Sequence, residues 1–163
     1  MTESEFEQYF TLYKETVWSA AFCYVKNAVD ADDISQEVFL KLYTYSGEFS
    51  GSEHVKAWLL RCTVNRSKDH LRSHWQKYSE PLESIPEQED TKPGDTDSLS
   101  DVFMKLSRKL RITLYLHYYQ GYSVTETAKL LGISESAVGV RLMRGRKKLE
   151  KLLSEERNEY NGS

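Results

Sequence analysis

Ser123-Val-Thr-Glu-Thr-Ala-Lys-Leu-Leu-Gly-Ile-Ser-Glu-Ser-Ala-Val-Gly-Val-Arg-Leu-Met-Arg-Gly-Arg146 is the stretch on which the reading of this chain turns. Ser123 followed three residues later by Glu126 is a capping box, in which each side chain satisfies a free backbone amide of the other. It opens a short helix through Ala128, Leu130 and Leu131. Gly132 makes a tight turn, Ser134 caps the next helix, and Val138, Leu142, Leu149 and Leu152 recur at the spacing of one buried face. Helix, glycine turn and basic helix together spell a helix-turn-helix. In front of it, Leu99, Val102, Phe103, Leu106, Leu110, Leu114, Tyr115 and Tyr118 keep a helical period until Gly121, a good helix-ending residue.

Upstream, residues 79–98 break every pattern, with Pro81, Pro86, Pro93 and Gly94 among Glu, Asp, Ser and Thr. Such a segment buries too little apolar surface to offset its ordering and reads as a flexible acidic linker. Fully extended, some twenty residues reach about 65 to 70 Å. Before it, Phe6, Tyr9, Phe10, Tyr13, Val17, Trp18, Ala21, Phe22 and Val25 form one helical stripe that ends near Lys26 and Asn27. A second helix is expected to start at Asp30-Ala-Asp-Asp33, where carboxylates suit the positive end of the helix dipole, and to carry Ile34, Val38, Leu42 and Tyr45. After a loop around Gly47 and Gly51, a third carries Val55, Trp58, Leu59 and Cys62 inward and ends near Tyr78. The fold class is therefore all-α: two small helical domains, 1–78 and 99–153, joined by the linker 79–98 and followed by a tail, 154–163.

The bulk numbers agree with this and exclude other classes. Hydrophobic residues are 39% and charged residues 29% of the 163, as in a globular chain with modest cores. No window approaches the roughly 18 apolar residues of a membrane span, so membrane insertion is not expected. The acidic start, Met1-Thr-Glu-Ser-Glu-Phe-Glu7, lacks the basic and apolar regions of a signal peptide, and the expected location is cytoplasmic. Cys23 and Cys62 stand 39 positions apart without metal-binding spacing, and each reads as a small core residue. His70 and His74 are one helical turn apart, but no carboxylate or thiol set accompanies them, so neither metal nor other cofactor is expected. No nucleophile-base pair or carboxylate cluster argues for an enzyme.

Charge is laid out in blocks. Residues 1–53 carry 3 basic and 10 acidic side chains, residues 54–78 carry 6 and 1, residues 79–101 carry 1 and 8, and residues 102–153 carry 11 and 3. Two basic blocks on either side of an acidic one suggest two sites for a polyanion. In the second block, Ser134, Glu135, Ser136 and Gly139 occupy the first turns of the last helix, whose backbone can approach a major groove closely there. Arg141 is placed for a base contact, since guanidinium pairs bidentately with guanine. Arg144, Arg146 and Lys147 are placed for phosphates. In the first block, Lys56, Arg61, Arg66, Lys68, Arg72 and Lys77 interleave with His70, His74, Trp75 and Tyr78, the mixture of cations and rings that suits unpaired nucleic acid. Trp58 is assigned to the core from its spacing to Val55, Leu59 and Cys62.

Taken together, these residues resemble the extracytoplasmic-function (ECF) group of bacterial RNA polymerase sigma factors, over nearly the whole chain. Asp30-Ala-Asp-Asp-Ile-Ser-Gln-Glu-Val-Phe-Leu-Lys-Leu-Tyr43 is similar to the family's acidic helix that docks on the polymerase beta-prime clamp helices. Ala57-Trp-Leu-Leu-Arg-Cys-Thr-Val-Asn-Arg-Ser-Lys-Asp-His-Leu-Arg72 is similar to its promoter-opening helix. Leu106-Ser-Arg-Lys-Leu-Arg111 with Tyr122 to Arg146 resembles its -35-reading domain. The resemblance implies that Asp33, Gln36, Glu37 and Lys41 meet core polymerase. It implies that the loop 46–54 takes an extruded base of the -10 element, and that Lys56, Arg61, Asn65, Arg66, Lys68, Arg72 and Trp75 handle that strand. For the second domain it implies the -35 duplex and the polymerase beta flap as partners, with an anti-sigma factor as the regulator of the whole.

The chain departs from the family at several positions. Ser107 stands where the family commonly has the proline of a sharp helix start, and Ala137, Gly139 and Gly145 where threonine, serine or lysine, and alanine are common. Each glycine is expected to cost its helix about 1 kcal/mol relative to alanine. A polymerase-independent helix-turn-helix regulator is the competing reading, but it leaves the acidic helix and the aromatic-basic helix without a task.

Overall fold

Thr2 opens the first helix, α1 (Glu3–Val25), through a reciprocal capping box: Glu5 N donates to Thr2 Oγ1 at 3.1 Å and Thr2 N to Glu5 Oε2 at 2.9 Å. The computed structural model describes residues 1–74 and 98–161, and no strand occurs among them. α1 ends where Lys26 turns left-handed, at φ 50°, and donates its amide to Phe22 O. The next helix, α2 (Ala28–Thr44), starts earlier than the acidic run suggested, because Asn27 caps it by accepting from Asp30 N at 2.9 Å. Asp30 thus lies in the first turn. α3 (Ser52–His74) follows the glycine loop. Its expected end at Tyr78 lies outside the described residues, as do Trp75, Lys77 and all but the last residue of the linker 79–98.

These three helices pack on one another around Val17, Ile34, Leu42, Val55, Leu59, Leu60 and Val64, all fully buried. Ala20, Ala21 and Ala31, also fully buried, let the backbones approach. Burying each larger aliphatic is worth about 1.5 to 3 kcal/mol, so this stripe supplies the bulk of the unit's stability. The expected α1 stripe is only partly interior. Phe10 is exposed, and with Phe6 it packs edge-on against Phe39 and near Tyr43 at the surface of α1 and α2. Trp18 is half-buried and donates from Nε1 to Asp32 Oδ1 at 2.7 Å, a tie between the two helices.

The chain divides into two units, Met1–Asp90 and Thr91–Ser163. In the second, the helical stretch expected over 99–118 is three pieces: α4 (Ser98–Met104), α5 (Arg108–Leu114), whose N-cap is Ser107 where the family's proline stands, and a π-helical turn over Tyr115–Tyr119. The break is made by Arg111, whose side chain is wholly buried. Its Nη1 donates to Leu106 O at 2.5 Å and Met104 O at 3.3 Å. A buried guanidinium needs acceptors, and the orphan carbonyls of an interrupted helix provide them. Apolar periodicity runs straight through such a corner and does not register it.

The helix-turn-helix is as expected. Ser123 and Glu126 form the capping box of α6 (Val124–Leu131), Gly132 ends it at φ 69°, and Ser134 Oγ accepts from Ala137 N at 3.0 Å to open α7 (Glu135–Asn161). Hydrogen bonds from Ser123 hold the Glu126 carboxyl below the usual carboxylate range. Leu106, Leu114, Ala128, Val138 and Leu142 form the core, with Leu149 and Leu152 packed half-buried against it. α7 continues through the expected tail at 154–163 as far as Asn161. The good helix formers Glu155, Glu156 and Arg157 account for the extension.

Candidate nucleic-acid interface

On α7 the buried side is Val138, Leu142 and Gly145, which leaves the opposite side to solvent. Of the residues expected there, Ser134, Glu135, Ser136, Gly139, Arg144, Arg146 and Lys147 are exposed. Ser134 spends its hydroxyl on the cap. Arg146 donates from Nη1 to Tyr118 Oη at 2.6 Å, which ties the π-helical turn to the basic helix. Arg141 is half-buried. It lines a groove of about 290 Å³ with Lys109 and Leu110 of α5 and with Ser136, Ala137, Val140 and Arg144 of α7. Lys109 was not singled out by sequence. Its motif showed a cation but not that α5 would lay it across a groove from two arginines.

In the first unit α3 sorts its cations onto two sides. Arg61, Asn65, Lys68 and Arg72 recur at the spacing of one helical face; Asn65 and Arg72 are exposed, and Arg61 and Lys68 half-buried. Arg72 Nη1 lies 3.9 Å from Asp69 Oδ1 on its own helix. Lys56 is half-buried near the start of α3. Arg66 and His70 instead turn toward α2. Arg66 Nε donates to Glu37 Oε2, and His70 Nε2 lies 3.4 Å from Asp30 Oδ2. The Arg66 hydrogen bond is the main reason the Glu37 carboxyl sits below its ordinary range. Thus two residues assigned to different partners, Glu37 and Arg66, are partners of each other in the free protein.

Trp58 corrects an expectation. It is half-exposed rather than core, with its ring 4.9 Å from that of Tyr45 and 5.7 Å from that of Phe49, and Lys41 Nζ 6.0 Å from its centre. Phe49 also meets His54 edge-on, and Ser50 N donates to His54 Nδ1 at 3.0 Å, which pins the loop to the first turn of α3. Spacing alone had placed Trp58 inward; the aromatic side chains of the loop draw it to the rim. Tyr45 and Phe49 were legible only as rings in a glycine-serine loop. Cys23 is buried as expected, whereas Cys62 is half-buried, and desolvation pushes its thiol up against the pull of Lys41 and Arg61.

On α2, Asp33, Gln36, Glu37 and Lys41 are exposed along one side. Gln36 lines a groove of about 440 Å³ between α1 and α2, together with Phe10, Lys14, Trp18, Ser35 and Phe39. Among the described residues no group of three His, Cys, Asp or Glu side chains is arranged to hold a metal, and no helix is long and apolar enough to cross a membrane.

A three-helix unit with a cationic, ring-lined face and a second unit built on a basic helix-turn-helix define a two-module DNA-binding protein. Comparison with known proteins narrows the class. Residues 9–77 match the family Sigma-70 region 2, and residues 96–149 match Sigma-70, region 4. ECF RNA polymerase sigma factor SigM of Mycobacterium tuberculosis is 31% identical over 150 residues, 91% of this chain and 76% of that one. RNA polymerase sigma factor CarQ of Myxococcus xanthus is 28% identical over 161 residues, 94% of this chain and 91% of its own. The fold is shared with the sigma factor RpoE of Bartonella quintana, solved with the anti-sigma factor NepR, at a TM-score of 0.72 and 20% identity over 92% of this chain and 97% of that one. It is shared also with CnrH, solved with the cytosolic domain of CnrY, at 0.62 and 23% over 94% and 90%. The chain belongs to the ECF group of RNA polymerase sigma factors, and it is a promoter-recognising initiation factor.

Proposed function

We propose that the chain is inert on promoters until it binds core polymerase, then reads the -35 element as duplex through α7 and opens the -10 element with α3. Asp33, Gln36, Glu37 and Lys41 meet the beta-prime clamp helices, and the second unit meets the beta flap. Arg61, Asn65, Lys68 and Arg72 track the non-template strand, Lys56 and Trp75 serve the same strand, and the Tyr45, Phe49, His54 and Trp58 rings receive an extruded base. Flipping a base costs a few kcal/mol, which stacking and phosphate contacts must offset. The observation that carries this reading is the stripe Arg61, Asn65, Lys68 and Arg72 on the same helix as the aromatic rim. A regulator working from its helix-turn-helix alone has no use for either. Polymerase supplies the chemistry, the site of action is the bacterial cytoplasm, and an anti-sigma factor, as NepR is for RpoE, holds the chain in reserve.

The test is run-off transcription from genomic DNA with core polymerase of the host. New start sites sharing a -35 and -10 pair, lost when Arg141 and Arg144 are both changed to Ala, are the expected result. Specific duplex binding by the free chain, with neither complex nor transcripts, would transfer the function to a stand-alone regulator.

A further inference from the structure

The solvent face of α7 consists of Ser136, Gly139, Val140, Met143, Arg144 and Lys147, at helical spacings of three and four. Val140 is 40% exposed and Met143 44%, one turn apart and in the middle of this face. Single exposed apolar side chains need no explanation. This pair differs in its place: the other long side chains of the face are the cations Arg144 and Lys147, and Arg141 and Arg146 flank it. Such charge selects a polyanion as the cover, which makes a nucleic-acid duplex the occupant rather than an apolar protein surface. Gly139 lies beside both residues, and a methyl group built on it meets nothing within 4 Å, so no side chain there holds the helix off the groove.

In the major groove, the apolar group that a base pair displays is the C5-methyl of thymine. We propose that Val140 and Met143 are specificity-determining residues that read thymine methyl groups, so that the -35 element carries thymines, on either strand, beneath the middle of α7. The inference rests on the sigma-factor reading, since it needs α7 seated on a duplex. It extends that reading by moving part of base selection from the guanidinium groups to an apolar pair.

The experiment uses holoenzyme reconstituted from the full chain and a promoter found by the transcription test. Each -35 thymine is replaced in turn by deoxyuridine, which removes the methyl group and leaves pairing and hydrogen-bonding edges unchanged. At one or two positions the affinity should fall by about 3- to 10-fold, in line with the loss of a small buried apolar contact. Val140→Ala or Met143→Ala should lower affinity for the thymine promoter similarly and abolish the effect of deoxyuridine at the matching position. Both side chains are exposed, so the variants should fold; a melting curve checks that, and Val140→Thr serves as a second, near-isosteric variant. Deoxyuridine tolerated within twofold at every thymine, or a -35 element without thymine under α7, overturns the proposal. If Arg144→Ala still weakens binding in that case, the sigma-factor reading survives alone; if no promoter is selected at all, both fall.

Discussion

Gly139 and Gly145 lie on one helix, six residues apart, and their surroundings make them opposites. At Gly139 an added methyl group meets open space. Gly139→Ala should therefore raise stability by about 0.5 to 1 kcal/mol through helix propensity alone. At Gly145, which is buried, the same methyl would come within 2.6 Å of Leu114 Cδ1 and 3.1 Å of its Cγ, inside the packed crossing of α5 and α7. Overpacking costs about 1 to 3 kcal/mol, more than propensity returns, so Gly145→Ala should lower stability. Urea denaturation of the two variants checks the contrast. The sequence showed both residues as equal defects, because propensity is a property of one residue and a helix crossing is a property of two. Capping was different: the Ser123 and Glu126 pair lies within one turn of chain and was legible in full.

At the scale of elements, α2 and α3 are joined by Glu37 to Arg66 and Asp30 to His70. The spacing that placed all the α3 cations in one block did not reveal that Arg66 and His70 face a neighbouring helix, since the rotation of α3 against α2 is set by tertiary packing. The lowered Glu37 pKa fixes the sign of the pH dependence. The stabilisation is present above the ordinary carboxylate range and is lost as pH falls through the depressed folded value. Both side chains are more than a third exposed, so screening keeps the pair at or below about 1 kcal/mol. Glu37→Gln should flatten that part of the stability profile by lowering neutral-pH stability by at most about 1 kcal/mol while leaving the acid end nearly unchanged, as urea titrations from neutral pH into the acidic range will show. The helix start at Ser107 was visible through the family resemblance, but what anchors the corner between α4 and α5 was hidden for a related reason. Arg111 had no role of its own in the sequence beyond closing its motif, and only the folded unit shows that it holds two backbone carbonyls in the interior.

For the whole molecule, the alternation of acidic and basic segments was the most readable feature, and it separates affinity from selectivity. Lys147 is exposed on the α7 face and suited to a phosphate. Lys147→Ala should weaken holoenzyme binding to all promoters alike and reduce the salt slope of log K by about 1. Arg141→Ala, beside Lys109 in the half-buried groove, should alter the ranking of promoters when affinities are measured at fixed salt. Two modules on one chain also turn the second contact into an intramolecular event, so each can bind weakly while the pair binds well. Family and domain order were legible because three motifs stood in sequence. The division of labour among the cations was not, because it depends on which helix face each one occupies.

The ring cluster at the start of α3 also carries an optical label. All three tryptophans of the chain, at positions 18, 58 and 75, lie in its first half, and Trp58 shares its rim with Tyr45 and Phe49. Indole emission of the free chain therefore comes entirely from tryptophans of the first half. On the proposed reading, a single-stranded oligonucleotide that enters the rim of the free chain should quench or shift the Trp58 emission, with no attached dye needed to see it.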